Sequence, residues 1–239
     1  MLFRSQGDRP EDGFTTKVVR MDGSRQWGLS FNELYIQPYR STDASLDALQ
    51  EKAFIPVRWT KNEDFVYLAV QTSSAEIPFK GYDGLFRLDL STGKLRPVLK
   101  PAIAPLSASY AFKFSPAGNK LAYINQAVQP VTIVIIDTGT GAESKIALDA
   151  RFTRGGSLLW SQDEKQLLVS VMDEGRNGGN AVILYDFGTM SNEYILQQSA
   201  DVYLPYEWYG EATIYAEKYP GSWVYIDLAS KEIRPAPKP

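Results

Sequence analysis

An internal repeat constrains the fold of this chain more than any other feature of its sequence. Four aromatic residues each end an apolar segment, and a polar or glycine-containing run follows every one of them: Trp59, Phe114, Trp160 and Trp208. The chain turns apolar again seven residues later, or six in the last copy, at Val66, Leu121, Leu167 and Ile214. Polar runs of that length between alternating apolar segments are typical of hairpin turns. The repeat therefore predicts a series of antiparallel hairpins.

A second repeated feature is an apolar run that ends in aspartate and a turn. The aspartates are Asp89, Asp137, Asp186 and Asp227, about 40–50 residues apart, which is the spacing of propeller blades. An aspartate carboxylate in such a turn accepts backbone N–H bonds from residues that follow it, so we interpret these four residues as structural. The prediction is an all-β fold, a β-propeller of four-stranded antiparallel blades, with four full blades and about half of another.

Two segments resemble the WD-like repeats of TolB-type β-propellers. The run from Phe114 to Tyr123, FSPAGNKLAY, resembles the family's W-S-P-D-G-x-x-I-A-F signature, and IVIIDTGTG from Ile133 resembles its strand and turn. The likeness extends over about residues 54–235, although Ala117 stands where the family has aspartate. The resemblance implies a bacterial, periplasmic or extracellular protein that works through protein–protein contact.

The repeat also predicts the domain organisation. The propeller domain is expected at residues 16–236 and a tail at 237–239, with a short helix from Ser45 to Lys52 inside an insertion at 31–53. The expected blades are 16–30 (partial), 54–99, 107–148, 155–198 and 203–236. Residues 1–15 are expected to be disordered or an artefact of a fragmentary gene, with an ordinary flexible terminus as the alternative. Because the partial blade lacks its front half, we expect an N-terminally truncated, open fragment of a ring with about six or more blades.

Composition excludes several kinds of chemistry. The sequence contains no His and no Cys, so it cannot form a Ser-His-Asp triad or a zinc site built on imidazole or thiolate. We predict no catalytic residue, no metal site and no cofactor. Lys plus Arg number 25 and Asp plus Glu 28, for a net charge of −3 without a basic stripe, which argues against nucleic acid. No apolar run reaches the ~18 residues expected of a membrane span.

The connections after the second strand of each blade differ most in length and composition. By the up-and-down order of a blade these segments, 71–84, 125–130, 173–180 and 217–222, share one face, and variable loops gathered on one face of a repeat protein often bind a partner. Our candidate binding-face residues are Tyr82, Asp83, Asp173, Arg176, Tyr203, Tyr206 and Tyr219.

Each of these candidates also has a structural interpretation. Loop 173–180 has oxygen ligands suited to calcium, but Arg176 lies among them and the spacing is wrong, which favours a polar loop. The three tyrosines could stack against a ligand or fill the space between blades, and we favour packing. Packing is favoured more strongly for Trp208 and Tyr215.

Three functions are compatible with these features. The first is a non-catalytic binding module that contacts a protein or peptide partner through the loops of one face. The alternative is an accessory propeller of a peptidase or other hydrolase whose catalytic part is not in this chain, since no Gly-x-Ser-x-Gly motif follows Lys231. The third is a glycosidase that uses only carboxylates. It needs two of them about 5–10 Å apart, and because the predicted innermost strands contain only Glu207, we discount it.

Overall fold

The computed structural model describes residues 2–6, 14–19, 23–30, 52–60, 64–72, 84–99, 112–125, 128–173 and 179–238. All regular structure within these ranges is β-strand, joined by turns and bends. The chain divides into two compact units, Met1–Tyr110 and Ala111–Pro239. The fold of the described part is therefore all-β, as the sequence predicts.

The first unit contains one three-stranded and one four-stranded antiparallel sheet. The three-stranded sheet, in the order of its numbering, consists of β1 (Leu2–Gln6), β2 (Phe14–Val19) and β3 (Gln26–Ser30). The second sheet, blade 1, follows the same order with β4 (Lys52–Trp59), β5 (Phe65–Thr72), β6 (Gly84–Asp89) and β7 (Leu95–Leu99). The Thr16 hydroxyl donates a 2.7 Å hydrogen bond to the Phe54 carbonyl and so joins the two sheets.

The second unit contains three more four-stranded meanders. Blade 2 consists of β8 (Phe112–Phe114), β9 (Lys120–Asn125), β10 (Thr132–Asp137) and β11 (Glu143–Ala147). Blade 3 consists of β12 (Arg154–Trp160), β13 (Gln166–Met172), β14 (Asn180–Asp186) and β15 (Ser191–Ser199). Blade 4 consists of β16 (Val202–Trp208), β17 (Thr213–Tyr219), β18 (Ser222–Asp227) and β19 (Ile233–Ala236). Each strand pairs antiparallel with its sequence neighbours.

The register of the first hairpin in each blade agrees with the repeat in the sequence. Each aromatic residue that ends an apolar segment is the last residue of its strand and pairs with the second residue of the next strand, which is apolar. The pairs are Trp59 with Val66, Phe114 with Leu121, Trp160 with Leu167, and Trp208 with Ile214. The predicted hairpins are confirmed. The apolar partner of each pair is buried, and the length of the polar turn sets the register that places it there.

The four repeated aspartates form the same turn in every blade. The Asp137 carboxylate accepts hydrogen bonds from the Gly139 amide at 3.1 Å and from the Thr140 amide and hydroxyl at 2.7 and 2.8 Å. Asp89, Asp186 and Asp227 accept equivalent bonds from the residues two and three positions after them. Their structural role is therefore confirmed.

Hydrogen bonds that the turn amides and hydroxyls donate to each carboxylate stabilise its charged form. The Ser91 hydroxyl and the Thr92 amide lower the pKa of Asp89 to about 2. The Thr140 amide and hydroxyl lower the pKa of Asp137, and the Ser230 amide and hydroxyl lower that of Asp227. The pKa of Asp186 is lowered by the Thr189 amide and the Gln166 side chain.

Alternate residues of blade 3 pack on opposite neighbours, as expected for a sheet buried on both faces. Leu167 and Val169 belong to a core shared with Ile124 and Ile133 of blade 2. Leu168 belongs to a core shared with Ile214 and other residues of blade 4. The first unit has its own core around Val18, Phe54, Val66, Leu68 and Phe86, where the Phe54 and Phe86 rings meet edge to face at 5.2 Å.

The observed sheets can be compared with the predicted boundaries. The four-stranded sheets extend over residues 52–99, 112–147, 154–199 and 202–236, beside predicted blades at 54–99, 107–148, 155–198 and 203–236. The structure differs at the N-terminus, where Leu2–Gln6 pairs with Phe14–Val19 instead of lying outside a regular element. A free edge of β2 offers this segment backbone hydrogen-bond partners, which alternation of side chains in the sequence does not reveal. Residues 45–51 of the predicted helix lie outside the described residues. Its last residue, Lys52, is the first residue of β4.

Candidate functional site

The two ends of the blades in the second unit have different roles. Because neighbouring strands are antiparallel, the connections after the first and third strands of every blade lie at one end, the turn end. The connections after the second strands (126–131, 173–179 and 220–221) and between blades (148–153 and 200–201) lie at the other, the loop end. The first strands β8, β12 and β16 are next to each other and are therefore the inner strands.

At the turn end, polar side chains make contacts within the protein. Besides the aspartate turns, the Glu164 carboxylate accepts a hydrogen bond from the Ala117 amide of blade 2. Lys120 places its Nζ 5.8 Å from the Trp160 ring and 5.4 Å from the Phe187 ring, a cation–π contact between blades 2 and 3. The Trp160 indole N–H donates to the Lys113 carbonyl at 3.1 Å. These contacts hold adjacent blades together.

At the loop end, blade 4 carries a polar cluster formed by Asp201, Tyr203 and Lys218. The Lys218 Nζ lies 2.7 Å from the Asp201 carboxylate, which raises the pKa of the lysine by hydrogen bonding. Tyr203 faces Lys218 across the β16–β17 pair, and burial raises the pKa of its phenol. The ion pair is partly exposed, so both charges are accessible from solvent.

Arg151 is a loop-end residue that the sequence analysis did not identify. Its guanidinium lies 4.7 Å from the centre of the Phe152 ring and 5.5 Å from that of Tyr194. Its Nε is 3.6 Å from Asp149 Oδ2 and has no hydrogen-bond partner in the described part of the chain. The sequence Asp-Ala-Arg-Phe at 149–152 brings a charged pair next to an aromatic ring. The second ring, Tyr194 of β15, is brought to Arg151 only by the fold.

The structure does not place the predicted binding-face residues on one common surface. Tyr82, Asp83 and Arg176 lie outside the described residues. Asp173 is half-buried directly after β13, at the loop end. Tyr219 ends β17 at the same end and is 60% exposed. Tyr203 is buried in the core between blades 3 and 4, so only its polar edge reaches the Asp201–Lys218 pair.

Tyr206 was expected in or near a loop of this face, but it lies inside β16. The β16–β17 register shifts between Pro205 and Glu207, and Tyr206 is the extra residue of this bulge. A bulge reorients a side chain relative to the regular alternation, which hydropathy cannot reveal. Its ring is 58% exposed on the flat face of blade 4 rather than at the loop end.

On that flat face, Tyr206, Tyr215 and Trp223 form a cluster that we call the aromatic corner. The Tyr215 and Trp223 rings are stacked, with centroids 4.8 Å apart and planes at 16°. The Tyr206 ring stands at 86° to Trp223 and 81° to Tyr215, with centroids 5.4 and 6.3 Å away. The corner thus has two parallel rings and one perpendicular wall.

The inner ring of the corner also contacts the C-terminal segment. The Tyr215 hydroxyl donates a hydrogen bond to the Pro237 carbonyl. Tyr215 is 8% exposed, and burial raises the pKa of its phenol. The packing role expected for Tyr215 is therefore accompanied by a specific polar contact, which the sequence did not reveal.

Two searches of the described residues bear on metal and membrane binding. Within the ranges given above, no group of three or more His, Cys, Asp and Glu side chains could hold a metal ion. No helix in the same part of the chain is long and apolar enough to cross a membrane.

Comparison by sequence finds no matching protein-family model and no matching curated protein. Comparison by structure finds solved proteins with a similar fold. TolB from Acinetobacter baumannii is 16% identical, and the match covers 95% of this chain and 49% of TolB at a TM-score of 0.49. An oligogalacturonate lyase in complex with manganese is 13% identical over 74% of this chain and 50% of the lyase, at 0.53. The acylaminoacyl peptidase of Pyrococcus horikoshii is 14% identical over 82% of this chain and 34% of the peptidase, at 0.51.

The chain spans about half the length of TolB and of the lyase that it matches. At such low identity the likeness concerns the fold and not the activity, and the matched proteins include enzymes with different substrates. The lyase and peptidase matches agree with the repeated four-stranded meanders of both units. In fold, this chain is an all-β protein built from β-propeller blades, and four of the described sheets are four-stranded and antiparallel.

Proposed function

We propose that this chain is a non-catalytic binding module that contacts a protein partner through the loop end of its blades. The observation that carries the proposal is the contrast between the two ends. The same aspartate turn recurs at the turn end of every full blade, where its hydrogen bonds are internal. The connections at the loop end differ from blade to blade, as expected of a variable binding surface on a constant scaffold.

Exposed side chains at the loop end support a protein partner. Val128 is 44% exposed and Tyr219 60% exposed, so apolar and aromatic surface is available. The Asp201–Lys218 pair, whose lysine is next to Tyr219 in the chain, and Arg151 supply charges at the same end. Aromatic and arginine side chains surrounded by polar groups are characteristic of protein interfaces. The resemblance to TolB-type repeats adds a periplasmic or extracellular location to this proposal.

Site-specific photo-crosslinking in the intact protein tests this function. A photoreactive amino acid replaces Val128 or Tyr219 at the loop end, and the matched control replaces Met190, which is 72% exposed at the turn end. We expect the two loop-end positions to yield an adduct with the same protein. The Met190 position should yield none, because its turn serves the scaffold. Adducts at Met190 alone, or at none of the three, would contradict the proposal.

A second candidate function is an accessory domain of a hydrolase. The match to the acylaminoacyl peptidase favours it, because the propeller likeness involves only 34% of that chain. Mass spectrometry of the crosslinked adduct distinguishes the two. An adduct with an α/β-hydrolase domain supports the accessory role, and an adduct with a non-enzymatic protein supports the binding module.

A further inference from the structure

The aromatic corner of blade 4 has the properties of a surface that binds extended, proline-rich peptides. Such peptides form a left-handed helix without internal hydrogen bonds, so their carbonyl groups need donors from a partner. Their recognition sites are grooves lined with aromatic rings that contact the proline side chains. Tyr206, Tyr215 and Trp223 provide perpendicular and parallel ring faces within 6.3 Å of each other.

The chain places a proline-rich segment of its own on this corner. Residues 234–239 read Arg-Pro-Ala-Pro-Lys-Pro. Strand β19 pairs with β18, with Ala236 opposite Trp223, but Tyr215 belongs to β17, on the far side of β18. Neighbouring strands are about 4.8 Å apart. The hydrogen bond from the Tyr215 hydroxyl to the Pro237 carbonyl therefore spans β18, and it joins the aromatic corner to the segment that follows β19.

Two carboxylates lie next to the corner, and the proline-rich segment of the chain contains basic residues. Glu207 is the register partner of Tyr215, and Glu217 that of Trp223, which places both carboxylates beside the stacked rings. The Glu217 carboxylate accepts a 3.0 Å hydrogen bond from the Gly221 amide and so has a defined position. Arg234, opposite Tyr225, belongs to the proline-rich segment itself. The face that carries the aromatic corner thus also carries two carboxylates.

We propose that the aromatic corner is a binding site for extended peptides that combine prolines with Lys or Arg, and that residues 236–238 are its resident occupant. The Tyr215 hydroxyl is the donor to a peptide carbonyl, and the Tyr206 ring is the outer wall against which a proline ring packs. An external proline-rich segment competes with the chain's own, which is present at the millimolar effective concentration of a short tether.

This site is independent of the binding function proposed for the loop end. The corner lies on the flat face of the last sheet, and Tyr219, the exposed loop-end aromatic residue, is not among its rings. The two surfaces can therefore be tested with different variants of the same chain.

The experiment uses fluorescence anisotropy of a labelled peptide, Arg-Pro-Ala-Pro-Lys-Pro, titrated with the intact chain. A control peptide has alanine in place of each proline. The variant Pro237→Gly removes the fixed φ angle of the resident segment, and we expect it to bind the labelled peptide at least threefold more tightly than wild type. In that background Tyr215→Phe, which removes only the hydroxyl, should weaken binding about tenfold, the worth of one hydrogen bond.

Two further variants keep the test decisive. Tyr206→Ala removes an exposed ring and leaves the core intact, and we expect at least a fivefold loss of peptide affinity. Tyr219→Phe should leave peptide affinity unchanged, because Tyr219 belongs to the loop end. Circular dichroism checks that each variant is folded.

Three results would overturn the proposal. One is equal binding of the proline and alanine peptides. Another is an affinity that Tyr215→Phe and Tyr206→Ala leave unchanged. The last is absence of binding to the Pro237→Gly variant at millimolar peptide, with or without concentration-dependent dimerisation on sedimentation, since a second copy or another sheet would then cover the corner. A loss of loop-end crosslinking without any of these results affects only the function proposed for that end.

Discussion

Replacement of Gly155 by alanine tests the packing of blade 3 against blade 2. A Cβ atom at residue 155 would lie 2.4 Å from Cδ1 and 2.6 Å from Cγ2 of Ile124, and 3.2 Å from its Cβ. Ile124 is 1% exposed in the core between the two blades and has no room to retreat. Overpacking of this kind costs about 1–3 kcal/mol. The lower chain entropy of unfolded alanine returns about 0.4–1 kcal/mol.

The expected net loss of unfolding free energy is therefore about 1–2 kcal/mol. For a chain of this size that loss lowers the thermal midpoint by roughly 2–8 °C. The assay is urea and thermal unfolding followed by circular dichroism. Gly139→Ala is the matched control, because the nearest atom to its Cβ is Asp137 Oδ1 at an ordinary 3.4 Å, and its stability should change by less than about 0.5 kcal/mol.

A double variant makes the reasoning refutable. Ile124→Ala alone leaves a cavity and should cost about 2–5 kcal/mol. With Gly155→Ala beside it, the new methyl group occupies part of that cavity instead of clashing. The two losses should then fall short of additivity by about 0.5–3 kcal/mol. Strict additivity, or a Gly155→Ala variant as stable as wild type, would show that the two blades do not approach each other as closely as the structure has them.

The remaining predictions concern pH, the aspartate turns and the second interblade core. The pKa values of Asp89, Asp137, Asp186 and Asp227 are lowered in the folded protein, so these carboxylates stabilise the fold fully above the ordinary pKa of 3.8. This contribution to the unfolding free energy is lost as the pH falls through the folded pKa values, of which that of Asp89 is about 2. Urea unfolding midpoints between pH 5 and 2 measure the loss. Asp137→Ala should lower the thermal midpoint at pH 7, whereas the exposed control Glu143→Ala should not, and equal midpoints would remove the role given to the turn. Leu168→Ala, at a fully buried position between blades 3 and 4, should cost about 2–5 kcal/mol in urea unfolding, and a cost below about 1 kcal/mol would contradict that packing.

Prediction from sequence succeeded wherever a local signal repeats. The hairpin that follows Trp160 needs only a polar turn and alternation on both sides, and its register with Leu167 follows from these. The aspartate turn of Asp137 is equally local, since all of its partners lie within three residues. Such features depend on backbone geometry over a few residues, which the sequence specifies directly.

The candidate site was less predictable, because its residues meet through pairings that are distant or irregular. Arg151 acquires its role from Tyr194, 43 residues away on β15. Tyr206 is turned onto the flat face by a bulge that leaves no trace in the hydropathy pattern. The contact between Tyr215 and Pro237 crosses an intervening strand.

The sequence by itself determined the number and order of the strands in the four full blades, the register of their first hairpins and the turns that close them. It also ruled out chemistry that needs histidine or cysteine. Only the tertiary structure decided which aromatic residues are buried and which form an exposed corner, and which polar groups meet at the loop end. The physical reason is range: turns and alternation act over a few residues, whereas burial and side-chain contact depend on which sheets pack together.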